Sequence, residues 1–156
     1  MKKIVALSLL STLIASASIF GAMSYSDKKS GRVDRNFVRD DNASVVRDLE
    51  NHRVYYDAEP SGKMIYSDAI AYCEKMDYLG HKDWKLPTIE ELKSLTEFSR
   101  RDLNVKHAFK NVQEGIYWSS TKDRHDEAWY VDFDLGRWNT AGYDHTYYAL
   151  CVRKGD

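Results

Sequence analysis

Cys73 and Cys151 are the only cysteines in this 156-residue chain, and they limit the fold more than any other feature. A pair so far apart in an exported chain is expected to form one disulfide. Closing a loop of that size contributes roughly 4–5 kcal/mol on the chain-entropy account. Neither cysteine has a C-x-x-C neighbour, so a metal site built on them is not expected. The premise of export comes from the opening residues, "MKKIVALSLLSTLIASASIFGAMS". Lys2 and Lys3 precede an uncharged, mostly apolar run that ends in small residues, which is the pattern of a secretory signal peptide. Ala15-x-Ala17 and Ala22-x-Ser24 both suit a signal peptidase. Residues 1–24 are therefore expected to be a signal peptide, 25–36 a polar lead-in and 37–154 the folded domain. The competing reading is an uncleaved membrane anchor over residues 4–23, which the Ser and Thr in that run weaken. No cysteine lies near the junction, which argues against a lipoprotein.

Charge narrows the partners. Taking Lys2 and Lys3 from the 23 basic residues leaves 21 against 24 acidic ones, a net −3 with His neutral. A mixed, slightly acidic surface has no electrostatic footprint for nucleic acid. A membrane is met only through an uncleaved signal anchor, if at all. The expected location is the periplasm or the medium.

The element pattern is legible in pieces. Val45–Arg47 and Arg53–Tyr56 read as short strands around a polar turn. In "SDAIAYCEKMDYLG", Ser67 is placed to cap a helix, Asp68 suits its first turn, and Ala69, Cys73 and Met76 share one stripe with Ile70 beside it. Gly80 is expected to stop it. In "DWKLPTIEELKSLTEF", Thr88 and Glu91 have the spacing of a capping box, and Leu92, Leu95 and Phe98 recur at helical intervals. Glu90 and Glu91 read as N-terminal carboxylates of that helix rather than a catalytic acid pair. Residues 99–114 are loop-like, with Ala108-Phe109 as an apolar plug. "AWYVDF" alternates as a strand, "DLG" turns, "RWNT" returns antiparallel, and "TYYALCVR" closes with Cys151. Strands, two helices, then a long β region make an α+β pattern, with the cysteines joining the first helix to the last strand.

Five blocks in order, "YC", "GHKDWKLPTIEELKSL", "AFKNVQEGIYWSST", "AWYVDFDLGR" and "CVR", resemble the Lcl C-terminal domain family, the C-terminal domain of Legionella collagen-like proteins. The matches run from residue 37 to 153. The resemblance implies a C-type-lectin-like fold: two helices on twisted antiparallel sheets, the N- and C-terminal strands adjacent, an architecture related to the formylglycine-generating enzymes. It departs where the family tends to read "V-x-D-x-x-T-G-L-x-W". Here Val46, Asp48, Asn51, His52, Arg53 and Tyr55 stand instead, and His and Arg in place of Gly and Leu predict a differently built first turn.

The stretch "GIYWSSTKDRHDEAWYVDFDLGRW" gathers the residues that chemistry would need, yet each has a simpler role. Trp84, Trp118 and Trp129 are expected in the core. "KDRHDE" reads as a solvated loop, because His125, Asp126 and Glu127 are adjacent and do not converge on one cation. No nucleophile elbow or comparable Ser–His context appears, so no catalytic residue and no cofactor are expected. The calcium-dependent sugar-binding triplets of lectins are also missing, and Glu59-Pro60-Ser61 stands in the wrong place for one. The alternative, an enzyme of the sulfatase-modifying type, needs a closely placed active-site cysteine pair, and Cys73 and Cys151 fall instead where the lectin-like scaffold has its long-range bridge. What is left is recognition. Trp138, Asn139, Tyr143, Asp144 and His145 lie in a stretch dense in stacking and hydrogen-bonding groups, suited to a glycan or an envelope protein. The sequence therefore predicts an exported, non-catalytic recognition or structural module.

Overall fold

A computed structural model describes residues 36–98 and 102–155 of the chain. The expected signal peptide, and all of the lead-in but Asn36, lie outside the described residues. Among the described residues nine elements follow in order. Strands β1 (Phe37–Asp40), β2 (Val45–Asp48) and β3 (Arg53–Tyr56) come first, then helices α1 (Tyr66–Glu74) and α2 (Ile89–Lys93). Strands β4 (Ile116–Lys122), β5 (Glu127–Asp132), β6 (Arg137–Gly142) and β7 (Val152–Lys154) complete the chain. They form two antiparallel sheets, β1-β2-β3-β7 and β4-β5-β6. The α+β class stands. The N- and C-terminal strands share one sheet, but β7 pairs with β3, and β1 lies at the opposite edge.

Central strands of both sheets meet a core on each face, which is why they carry apolar residues at consecutive positions instead of alternating cleanly, while the edge strand β6 stays largely exposed. Val45, Val54 and Tyr56 of the first sheet, with Trp118 and Ala128 of the second, enter one core, which α1 covers through Tyr66, Ala69 and Cys73. Their sequence neighbours Val46, Tyr55 and Tyr117 enter a second core, as does Val131 of β5. Leu92 and Leu95, in and just after α2, close that side together with Leu103, Val105 and Phe109 from the following loop. The apolar plug expected at Ala108-Phe109 is thus real. Cys73 and Cys151 are bonded, 5.4 Å apart at Cα and fully buried in the first core. The staple therefore joins α1 to the approach of β7.

Local signals hold at α2 and shift at α1. Thr88 Oγ1 accepts from the Glu91 amide at 3.2 Å while Glu91 Oε2 accepts from the Thr88 amide at 2.8 Å, a complete capping box. Glu91 also pairs with Arg53 at 3.1 Å, so the helix start is tied to β3. At α1 the N-cap is Ile65, with no side-chain cap bond, and Ser67 lies inside the helix. The backbone bridge between Met64 and Tyr147 sets where the helix begins, overriding the hydroxyl. The helix ends at Glu74, and Gly80 instead serves a later turn in which Tyr78 and His81 exchange hydrogen bonds of 3.1 Å. Phe98 is corrected too: α2 ends at Lys93, and the Phe98 ring lies exposed against Gly136.

One buried carboxylate fastens the loop over the second core. Asp57 accepts from the Arg39 guanidinium, from the Lys110 amide at 2.9 Å and from the Asn111 amide at 3.1 Å. Burial pushes its carboxyl above the usual range, and the donors that face it pull the other way.

Candidate functional site

Strand β6 is the free edge of its sheet and carries the first two of the residues singled out by sequence. Trp138 is opposite Val131 and Asn139 opposite Tyr130. Directly paired residues share a face and neighbours alternate, so Trp138 and Asn139 point to opposite sides. Trp138, 44% exposed, lies on the α2 side, where Lys93 Nζ stands 4.8 Å from its ring centroid. Lys93 is also 3.0 Å from Glu90 Oε1. The ammonium therefore sits between a carboxylate and an aromatic face.

The other three residues stand beyond the end of β6, at the α1 side. Tyr143 is half-buried and stacked on Tyr66, ring centroids 4.8 Å apart and planes 16° from parallel. Its carbonyl accepts from the Tyr66 amide at 3.1 Å. Burial, reinforced by the neighbouring Tyr143 phenol, raises the Tyr66 hydroxyl above its ordinary value. Asp144 and His145 are exposed, with His145 Nδ1 3.3 Å from Asp144 Oδ1 and 3.2 Å from the Gly142 carbonyl. The His145 ring is 5.9 Å from Tyr147, which in turn meets Tyr130 at 5.2 Å.

So the structure divides the set. Asn139 joins Tyr143, Asp144 and His145 on one side through Tyr130 and Tyr147, whereas Trp138 stands alone with Lys93 on the other. Tyr130, Tyr147 and Lys93 were not singled out from sequence. The alternation of β5 carried the signal for Tyr130, since it places that tyrosine opposite the face of Trp129. Lys93 had none, because only tertiary packing of α2 brings it to β6.

Trp129 corrects the expected core. Trp84 and Trp118 are buried, but Trp129 is half-exposed, paired with Thr140 and diagonal to Trp138 on one face. The reason is length. A five-residue helix spans about 7.5 Å, and the six residues of β5 run about 20 Å, so α2 cannot roof the whole face. Trp129 and Trp138 together leave an aromatic strip on it.

The "KDRHDE" loop behaves as a solvated turn. His125 is exposed, 3.8 Å from Asp123, and Asp126 takes a positive φ of 56°. Among the described residues no group of three His, Cys, Asp or Glu side chains converges as a metal site would require. Ser119 is buried with its hydroxyl donated to the Trp129 carbonyl at 2.8 Å, so it is a strand-pairing residue.

The Lcl C-terminal domain family model matches residues 36–153, and the chain belongs to that family. No curated protein matches the sequence. The chain is thus an Lcl C-terminal domain with an α+β architecture of two antiparallel sheets and two helices.

Proposed function

We propose that this chain is exported to the periplasm or the medium and works by recognition, holding a glycan or an envelope protein at the β6 edge and the turn that follows it. The observation that carries the reading is the concentration of aromatic and polar side chains on the two faces of the β6 edge and at the turn that follows it. Trp138, Trp129 and Lys93 offer a stacking face with a cation; Asn139, Asp144 and His145 offer hydrogen bonds beside Tyr143. Aromatic anchors on a fixed scaffold lose little entropy on binding and dominate affinity where they occur. The scaffold is fixed because the disulfide and two apolar cores surround it. Export is supported by the signal-like opening and by that buried disulfide. Among the described residues no helix is long and apolar enough to cross a membrane.

The test is a glycan and envelope-protein binding screen on the folded domain, with and without calcium. Trp138→Ala is expected to weaken the captured ligand by about 1–2 kcal/mol or more without unfolding the domain, and calcium is expected to change little. Full binding by a folded Trp138→Ala, Asn139→Ala, His145→Ala triple variant would place recognition elsewhere. Copper-dependent turnover would favour the sulfatase-modifying alternative, against which stands the mutual, fully buried bond of the two cysteines.

A further inference from the structure

Asn42-Ala43-Ser44 is an Asn-x-Ser triplet without proline at its centre, the acceptor pattern for N-linked glycosylation of exported chains. Among Asn36, Asn42, Asn51, Asn104, Asn111 and Asn139, only Asn42 is followed two positions on by Ser or Thr. A three-residue pattern recurs by chance, so its position in the fold has to decide. The triplet forms the turn between β1 and β2, and Asn42 is exposed there. Asp40 Oδ1 accepts from the Ala43 amide at 3.1 Å, and Ser44 takes a positive φ of 48°. These two features reverse the chain tightly and leave Asn42 at the tip. The backbone that follows it is held, because Asp57 donates its amide to the Ser44 carbonyl at 3.1 Å and Tyr78 its hydroxyl to the Ala43 carbonyl at 3.0 Å. Among the described residues no hydrogen bond engages the Asn42 side-chain amide.

We propose that Asn42 is an N-glycosylation acceptor, modified outside the cytoplasm by transfer from a lipid-pyrophosphate-linked oligosaccharide. The Asn42 amide nitrogen attacks the anomeric carbon of the first sugar, and a carbon–nitrogen bond forms. The bond from that carbon to the pyrophosphate oxygen breaks, its electron pair leaving with the phosphate. The amide gives up one of its two protons to a base of the transferase, and nothing is oxidised or reduced. An exposed hairpin tip is a place where a transferase can reach an asparagine in a chain already folded, and where the bulky product meets solvent. The product would also stand beside the open edge of β1, the outermost strand of its sheet, and screen it from pairing with another chain. The proposal rests on the reading that the chain is exported.

The experiment is intact-mass and peptide-fragmentation analysis of the protein, purified without reductant from the periplasm or medium of the cells that make it. The expected result is an increment of whole sugar residues on the peptide that carries Asn42. It should vanish in Asn42→Gln and in Ser44→Ala and persist in Asn51→Gln, with circular dichroism confirming that all three are folded. Disulfide-bonded, exported protein with an unmodified Asn42 would overturn the proposal and leave export intact. Recovery of reduced chain from the cytoplasm alone would sink both.

Discussion

At the scale of single residues, the two buried tryptophans do different work, although both were expected in the core from sequence. Trp118 Nε1 donates to the Met64 carbonyl at 3.0 Å, and its ring meets Tyr66 and Tyr147. Trp84 Nε1 is buried with no hydrogen-bond partner, and its ring packs under the Arg153 guanidinium and against Tyr56 and Tyr78. Phenylalanine preserves most of the packing but removes the indole donor. Trp118→Phe therefore loses a buried hydrogen bond, worth about 1 kcal/mol, that Trp84→Phe does not have to lose. Chemical denaturation should find Trp118→Phe the more destabilised of the two, and equal losses would show that the Met64 contact is energetically idle. Which tryptophan is core was readable for these two, because each adjoins a capped or alternating apolar run. It was not readable for Trp129, whose strand pattern is identical whether or not a helix long enough to cover it lies above.

At the scale of elements, the two hairpins β2–β3 and β5–β6 are built alike. Asp48 and Asp132 each end a strand in a buried position, and each accepts from the two amides that open the turn. Across the ladder each faces an arginine, Arg53 at 3.8 Å and Arg137 at 3.7 Å. The residue before that arginine is left-handed in both: His52 with φ 50° and Gly136 with φ 62°. The first turn thus keeps the glycine-like conformation that its sequence was expected to abandon, and His52 bears the cost of a side chain there. His52→Gly should raise stability by about 0.5–1 kcal/mol, since the left-handed penalty of roughly 1–2 kcal/mol outweighs the entropy glycine adds to the unfolded chain. A loss on thermal melting would mean that the exposed imidazole has a compensating contact. Elements with their own chemistry, such as the Thr88 capping box and the β5–β6 turn, were legible in the sequence. Those set from a distance were not. Strand β1 is four half-buried residues that form a strand only because β2 lies beside them, and the start of α1 follows Tyr147, far away in the chain. The candidate site suffered in the same way: its residue types were visible, but alternation sends Trp138 and Asn139 to opposite faces.

At the scale of the whole molecule, burial of tyrosines ties stability to alkali. Burial pushes the Tyr56 hydroxyl up to about 12, with Glu59 adding to the shift. The Tyr55 and Tyr117 hydroxyls rise further for the same reason, and those of Tyr66, Tyr72 and Tyr147 also rise. A phenol that holds its proton more tightly when folded than when unfolded contributes stability that is complete below the unfolded value, near 10, and lost as pH climbs through the folded one. Denaturation midpoints should accordingly hold steady to pH about 9 and fall beyond about 10, with phenolate absorbance of the buried group appearing only on unfolding. A flat profile through that range would contradict the buried placement. The staple between Cys73 and Cys151 also decides how the molecule would answer a pulling force. The bond shunts tension past everything from Cys73 to Cys151, so α2, β4, β5, β6 and the surface proposed for recognition carry none of a load applied at the chain's two ends. Only β1, β2, β3, β7 and α1 up to Cys73 stand in its path, and β1, held on one side alone, would peel first while the β4-β5-β6 sheet kept its shape.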